Sequence, residues 1–146
     1  MHGAHVLEMG SGSGVVLAAL GVMGAASLCG IDIEDGAVIA GEMLLRDLGF
    51  GVRAALHRGG MGQPVAGRRF DLIVANLPHF PMAHREVPGR LATWSSGGLD
   101  GRELLDPFLE GLPNHLSAGG HAIITHNAFV GLDASRTILR RHGLSM

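Results

Sequence analysis

The stretch "AHVLEMGSGSG", Ala4 to Gly14, joins a short apolar run to three alternating glycines. The run is typical of a β-strand that is covered on both faces. Glycine tolerates positive φ and lets a ligand approach the backbone closely. Three glycines directly after a strand therefore predict a tight strand-to-helix turn with room for a ligand. The same turn without a ligand is the simpler alternative.

Two common nucleotide-binding turns do not fit this spacing. The dinucleotide fingerprint is G-x-G-x-x-G, and the third position after Gly12 is Val15 rather than a small residue. The phosphate-binding loop requires a lysine, and the chain contains none. The spacing that fits is acid-x-G-x-G-x-G. It places Glu8 at the end of the strand, with its carboxylate near a cation or an ammonium group.

The rest of the chain alternates similar apolar runs with longer amphipathic segments. Strands are expected at Ala4–Met9, Ala26–Ile33, Val52–Leu56, Phe70–Asn76 and His121–Asn127, and helices at Ser13–Val22, Asp35–Gly49, Gly101–Ser117 and Ala134–His142. Asp35 is expected to be the N-cap of the second helix, and Gly49 is expected to end it. The alternation predicts a doubly wound α/β fold with a mostly parallel sheet in the order 3-2-1-4-5 and a ligand at the carboxyl ends of the strands.

Composition narrows the class of protein. The 146 residues suit one domain, and no apolar run reaches the ~18–20 residues that cross a bilayer. The start of the chain lacks the pattern of a secretory signal, and the single cysteine, Cys29, cannot form an internal disulfide. A cytoplasmic protein is therefore expected. The net charge is -2 and the arginines form pairs rather than stripes, so no footprint for duplex nucleic acid is visible.

Two further strand ends carry polar groups. The second strand ends in Asp32, ~20 residues after the glycines, where an acid can accept hydrogen bonds from both ribose hydroxyls of a nucleoside; capping a helix is its alternative role. Ile33 would form an apolar wall for an adenine face or belong to the core. The stretch "FDLIVANLPHFP", residues 70–81, contains Asn76, whose amide faces a substrate or caps its own loop.

These motifs together resemble the S-adenosylmethionine site of class I methyltransferases, which implies a Rossmann-like fold and that cofactor. The residues that match the cofactor motif are Glu8, Gly10, Ser11, Gly12, Gly14 and Asp32. Asn76-Leu77-Pro78-His79 is similar to the Asn-Pro-Pro-Tyr motif of amino-group methyltransferases. The segment "SSGGLDGRELLDPFLEGLPNHLSAGGHAIITHN", residues 95–127, resembles the matching part of the HemK-like protein-glutamine methyltransferases.

The resemblance suggests roles for the Asn-Leu-Pro-His motif. A planar amide nitrogen is a poor nucleophile because its lone pair is delocalised. The side-chain oxygen of Asn76 and the carbonyl of Leu77 could accept its two hydrogens and hold it in line with the methyl group. Pro78 restricts Leu77 to an extended conformation. His79 stands where the family has an aromatic residue that stacks on the substrate, and Phe80 could take over that role.

The chain departs from the family in two places. Many members carry an acid after the third strand to hold the adenine amino group, whereas this chain has His57 or Arg58 there. The family's N-terminal recognition domain and two C-terminal strands have no counterpart, so residues 1–146 are expected to form a truncated cofactor-binding core. An exposed sheet edge would favour a homodimer or another partner.

The preferred function at this stage is N-methylation of a glutamine side chain in a protein resembling a release factor. The alternatives are methylation of an amino group on a nucleic-acid base and a cofactor-binding module without catalysis. A metal site is not expected, because His79 and His84 fit no strong zinc pattern. Trp94 is a candidate lid, substrate contact or core residue, and His126 is a candidate cleft residue.

Overall fold

A computed structural model describes residues 2–82 and 94–146. The strands are β1 (His5–Met9), β2 (Ser27–Asp32), β3 (Ala54–Arg58), β4 (Phe70–Ala75) and β5 (Leu116–Ile124). The helices are α1 (Val15–Val22), α2 (Asp35–Asp47), α3 (Leu105–His115) and α4 (Leu132–Arg141). Short 3-10 helices cover Gly51–Arg53, Gln63–Val65 and Ala128–Val130.

The five strands form one parallel sheet in the order β3-β2-β1-β4-β5, as the alternation of strands and helices predicts. In the register of the sheet, Met9 lies between Ile31 and Ala75, and His57 lies beside Ile31. The carboxyl ends of four strands therefore lie together at one end of the sheet, the carboxyl end. The glycine turn follows β1 at that end, and Asp32 ends β2 there.

The central strands are apolar because both of their faces are covered, whereas the two outer strands are partly exposed. In β1 the residues from Val6 to Met9 are all buried. In β5, Ile123 is 60% exposed. The two edges of the sheet are thus its least covered parts.

Several predicted boundaries were wrong. β5 begins at Leu116 rather than His121, because Leu116 already pairs with Phe70 of β4, and the segment that contains Gly119 and Gly120 is an irregularity within the strand. β3 lies two residues later than predicted, after a 3-10 turn. The N-cap of α2 is Glu34, and Asp35 is the first helical residue. Gly49 follows the end of α2 with φ of 78°, as expected for a helix stop.

The described residues fall into two compact units. The first contains residues up to Ala75 together with Asn114–Ile124, and so holds the whole sheet with α1 and α2. The second contains the described residues of Asn76–Pro113 and Thr125–Met146. In the first unit a core cluster joins strand residues, including Val6 and Leu28, to helix residues of α1 and α2.

Cys29 lies in β2 on the other face of the sheet from this cluster. Its side chain is 1% exposed, and the Nη1 atom of Arg68 is 3.6 Å from its Sγ atom. Burial raises the pKa of the Cys29 thiol, although the guanidinium works in the opposite direction. The thiol is free and buried.

None of the helices in the described ranges is both long and apolar enough to cross a membrane. Half of the long connection from Pro78 to Leu99 lies outside the described residues, as does His84. Trp94 lies at the margin of the described part and is exposed.

Candidate active site

The glycine turn after β1 is held against β2 by backbone hydrogen bonds. The N–H groups of Gly10 and Ser11 both donate to the carbonyl of Ile31, at 2.8 and 3.0 Å. Gly10, Gly12 and Gly14 have φ of 72°, 51° and 78°, which is the left-handed region that favours glycine. The spacing of the glycines therefore follows from the backbone path of the turn.

The last two glycines of the turn have different surroundings. A Cβ atom at Gly14 would lie 3.0 Å from the Cα of Gly41 in α2, so this glycine is required for close packing of the turn on a helix. A Cβ atom at Gly12 would meet nothing within 4 Å. The open side of the turn, at Gly12, is where a ligand could approach the backbone.

Asp32 ties the end of β2 to this turn. Its Oδ2 atom accepts a hydrogen bond from the N–H of Gly12 at 2.8 Å, and its Oδ1 atom accepts one from the N–H of Glu34 at 2.9 Å. The sequence predicts that the Asp32 carboxylate either accepts hydrogen bonds from ribose hydroxyls or caps a helix. Each carboxylate oxygen has a second lone pair, so Asp32 can shape the turn and still accept hydrogen bonds from a ligand.

Glu8 is a buried carboxyl group at the end of β1, with 5% of its side chain exposed. Burial raises its pKa from 4.5 to about 7, a hydrogen bond from the backbone of Leu17 works against this, and the negative charge of Asp32 adds to the rise. Its Oε2 atom has no hydrogen-bond partner among residues 2–82 and 94–146. A buried carboxyl of this kind would be stabilised in its charged form by a cationic ligand group.

Two further buried polar atoms of the first unit have no partner among the described residues. They are the Oγ atom of Ser11 and the Nε2 atom of His57. Buried polar atoms normally have hydrogen-bond partners, so three such atoms near the carboxyl ends of β1 and β3 are typical of a site for a polar ligand. The residues at the carboxyl end of the sheet therefore fit a ligand with an ammonium group and further polar groups.

The other predicted contacts of the cofactor have mixed surroundings. Ile33 is 57% exposed, so it is not a core residue and can offer an apolar face to a ligand. His57 is the fourth residue of β3 and lies beside Ile31 in the sheet. Arg58 forms a surface ion pair with Asp35, with 3.1 Å between Nε and Oδ1.

The Asn-Leu-Pro-His motif begins directly after β4 and belongs to the second unit. Asn76 is exposed, and its side chain makes no hydrogen bond in the part of the chain that the structure describes. Leu77 is buried, and Pro78 is half-buried.

His79 has an environment different from that expected of a residue that stacks on a substrate. It is only 5% exposed, and its Nδ1 atom is 2.6 Å from the carbonyl oxygen of Leu77. Phe80 is 46% exposed, and its ring lies parallel to His79 and 5.8 Å from the ring of Phe129. Phe80 is therefore the better candidate for an aromatic contact with a substrate.

The sequence did not single out the residue that holds the second nitrogen of His79. The amide Nδ2 of Asn127 is 2.7 Å from His79 Nε2. His126, which was expected to line a cleft, bonds instead to the carbonyl of Asn127 and to the hydroxyl of Ser135. In the sequence, the signal for this contact is the polar pair His126-Asn127 shortly after β5. Among the described residues no group of three potential metal ligands is present.

The chain resembles known methyltransferases in sequence. The family model described as ribosomal protein L11 methyltransferase (PrmA) matches residues 1–82. A putative protein N5-glutamine methyltransferase of Methanocaldococcus jannaschii is 34% identical, with 86% of this chain and 63% of that protein covered. The release factor glutamine methyltransferase of Geobacter sulfurreducens is 30% identical, with 94% of this chain and 49% of that protein covered.

A solved structure supports the fold. The ribosomal protein L11 methylase of Lactobacillus delbrueckii subsp. bulgaricus matches with a TM-score of 0.71 and 24% identity, covering 97% of this chain and 60% of that chain. The chain thus spans between about half and just under two thirds of the length of these relatives.

Proposed function

Because this chain belongs to the ribosomal protein L11 methyltransferase (PrmA) family, we propose that it binds S-adenosylmethionine and methylates the side-chain amide of a glutamine in a protein. The observation that carries the proposal is the buried Glu8 carboxyl. Its Oε2 atom has no partner in the described part of the chain, and it precedes a glycine turn that is bonded to Asp32. The similarity to curated glutamine methyltransferases supports the choice of acceptor.

S-adenosylmethionine supplies, when bound, a methyl group on an electrophilic sulfonium. On this proposal Glu8 accepts a hydrogen bond from its ammonium group, and Ser11 offers a hydroxyl to its polar end. The free lone pairs of Asp32 accept the ribose hydroxyls. Ile33 packs on a face of the adenine, and the unpartnered Nε2 of His57 bonds to its edge in place of the family's acid.

Asn76 and Leu77 are proposed to hold the acceptor nitrogen. The side-chain oxygen of Asn76 and the backbone oxygen of Leu77 each accept one amide hydrogen, which localises the nitrogen lone pair. That lone pair forms the new bond to the methyl carbon. The bound cofactor would supply the methyl group with its sulfur as the leaving group, and the amide nitrogen would lose one proton to solvent.

Calorimetric titration with S-adenosylhomocysteine tests the cofactor site. We expect wild type to bind and Asp32→Ala to lose at least tenfold in affinity, because the carboxylate shapes the turn and takes the ribose. Asp47→Ala is the matched control, since Asp47 is an exposed acid in the last turn of α2. Absence of binding by wild type would reject the cofactor assignment.

Transfer of a labelled methyl group tests the acceptor. We expect label in a release factor that contains a glutamine at its modified position, and none when that glutamine is alanine. RNA and DNA are offered in parallel, and label there instead would replace the protein acceptor by a base amino group. Asn76→Ala should lose transfer but retain cofactor binding, whereas Asn114→Ala, an exposed amide in α3, should retain both.

A cytoplasmic location is part of the proposal, because release factors and ribosomes work in that compartment. A homodimer also remains a prediction, supported by the exposure of Ile123 on the edge strand β5. Light scattering on the purified chain measures its oligomeric state directly.

A further inference from the structure

We propose that His79, held by Asn127, is a positioning residue that aims the carbonyl of Leu77 at the acceptor nitrogen. This inference rests on the proposed function, in which Leu77 accepts one hydrogen of the acceptor amide. It gives His79 a role that differs from stacking on the substrate. The observation behind it is a hydrogen-bonded series inside the second unit, from Leu77 through His79 to Asn127.

The series requires one tautomer of His79. A carbonyl oxygen can only accept a hydrogen bond, so the Nδ1 atom that lies 2.6 Å from the Leu77 oxygen must carry a hydrogen. The amide Nδ2 of Asn127 can only donate, so the Nε2 atom 2.7 Å away must accept. Both contacts are satisfied together by a neutral ring with its hydrogen on Nδ1.

Asn127 is itself fixed from the other side. Its backbone carbonyl oxygen lies 2.9 Å from His126 Nδ1, and His126 Nε2 lies 2.8 Å from the hydroxyl of Ser135, so the main chain at Asn127 is held. Ser135 accepts a hydrogen bond from Arg102 at 3.1 Å and is 1% exposed. The carbonyl rule gives His126 the same tautomer as His79, so the donors and acceptors are consistent along the whole series.

Arg102 anchors the far end of the series. Its guanidinium donates to the carbonyls of Val130 and Gly131 and to the carboxylate of Asp106, and little of its side chain is exposed. A guanidinium held by several acceptors has little freedom to reorient. The orientation of His79 is therefore determined by hydrogen-bonded groups of the second unit, several of them half-buried, rather than by solvent.

The hydrogen bond also explains why two residues of the motif differ together from its usual form. Proline at position 77 would restrict the backbone, and leucine gives up that restriction. The donor at His79 acts on the carbonyl of the same leucine, and so limits the freedom of that peptide group. A carbonyl has two lone pairs, so the oxygen can accept from His79 and from the acceptor amide together.

Nitrogen-15 NMR of the histidine ring tests the hydrogen-bond part without any activity. We expect the ring signals of His79, assigned by their loss in His79→Gln, to show a neutral ring with hydrogen on Nδ1. Asn127→Leu removes the donor to Nε2, so the Nε2 signal should shift in that variant and stay unchanged in Asn114→Ala. A hydrogen on Nε2 at neutral pH in the wild type would overturn the proposal.

Steady-state kinetics tests the positioning part. His79→Asn keeps an N–H at the place of Nδ1, whereas His79→Gln does not. We expect His79→Gln to lower kcat by about 10–100-fold, the usual effect of losing a residue that orients a directly bound group. His79→Asn should recover most of that loss, and KM for the cofactor should stay within about twofold in both.

The outcomes separate the two proposals. Equal loss in His79→Asn and His79→Gln would assign His79 to packing alone, and an unchanged kcat in His79→Gln would remove its role. If wild type transfers no methyl group to any acceptor while His79 keeps its Nδ1 hydrogen, the proposed function fails. A tautomer with hydrogen on Nε2 together with normal transfer removes only the positioning role.

Discussion

Glu8 makes the stability of the fold depend on pH. Its carboxyl is ordinary in the unfolded chain, with a pKa of 4.5, and is raised to about 7 in the folded chain. Between these values the unfolded state releases a proton that the folded state keeps, so stability falls as pH rises from about 4.5 to about 7. Each pKa unit corresponds to about 1.4 kcal/mol, so the fall is about 3 kcal/mol.

Glu8→Gln should remove this part of the pH dependence. Relative to wild type, the variant should be more stable by up to about 3 kcal/mol at pH 8 and about equal at pH 4. Urea unfolding at several pH values measures the difference. Glu42→Gln, on the exposed side of α2, should follow the wild-type curve. If Glu8→Gln also follows it, the burial of a titrating carboxyl at this position is disproved.

The same carboxyl predicts a proton linked to cofactor binding. An ammonium group beside Glu8 favours the charged carboxylate, so its pKa should fall when the cofactor binds. Near pH 6, where the free protein holds a proton on Glu8, binding of S-adenosylhomocysteine should release up to one proton per site. Calorimetry in two buffers with different heats of ionisation measures this number. Glu8→Gln should release none.

At the scale of single residues, the sequence predicted where the polar groups stand but not all of their partners. The spacing from Glu8 through the glycines to Asp32 was sufficient to identify a turn for a ligand. It could not show that Asp32 bonds to Gly12, or that His79 is buried against Asn127. Those contacts join residues 20 and 48 positions apart, and their geometry depends on the folded backbone.

The start of α1 depends on glycine for two different reasons. At Gly14, φ is 78° and a side chain would press on the backbone of Gly41. Gly14→Ala should therefore cost more than the roughly 1–2 kcal/mol of a left-handed residue alone, because α1 and α2 must also separate. Urea unfolding measures the loss of stability.

Gly12→Ala is the matched comparison. Its φ is 51°, but an added Cβ meets nothing within 4 Å, so only the backbone cost applies to folding. We expect this variant to unfold less easily than Gly14→Ala, yet to lose more affinity for S-adenosylhomocysteine relative to its stability loss. The reverse pattern would mean that the open side of the turn is not the ligand side.

Element types were predicted well where a segment is covered on both sides, and less well at the edges. β1 and β2 are continuous apolar runs because they lie in the middle of the sheet. The start of β5 was missed because "LSAGG" has the composition of a turn, although it pairs with β4 across a register shift between Phe70 and Leu72. Pairing with a neighbouring strand, which local composition does not reveal, decides such segments.

For the molecule as a whole, the alternation of strands and helices predicted the strand order, since right-handed crossovers leave few arrangements. Its division into two compact units was not predicted. The sequence does not reveal this division, because the boundary after Ala75 falls inside the stretch "FDLIVANLPHFP", which has no linker-like composition. Only the contacts of the folded chain separate the strand from the residues that follow it.

Cofactor binding should stabilise the folded chain as a whole. At a concentration one hundred times its Kd, a ligand that binds only the folded state adds about 2.7 kcal/mol to the free energy of unfolding. Thermal unfolding with and without S-adenosylhomocysteine measures the gain. Asp32→Ala, tested at the same ligand concentration, should show a much smaller shift. A full shift in Asp32→Ala would place the ligand away from the glycine turn.

The rate at which a thiol reagent modifies Cys29 reports opening of the sheet. The chain has one thiol, and it is closed off inside the second strand of a sheet that α1 and α2 cover on the opposite face. A thiol reagent can reach it only in molecules whose central strands have come apart. When modification is faster than reclosing, the rate of modification equals the rate of opening, and no added probe is needed. When reclosing is faster than modification, the rate is proportional to the equilibrium population of open molecules. A ligand that binds at the glycine turn should then slow the modification of Cys29 by the factor by which it lowers that population.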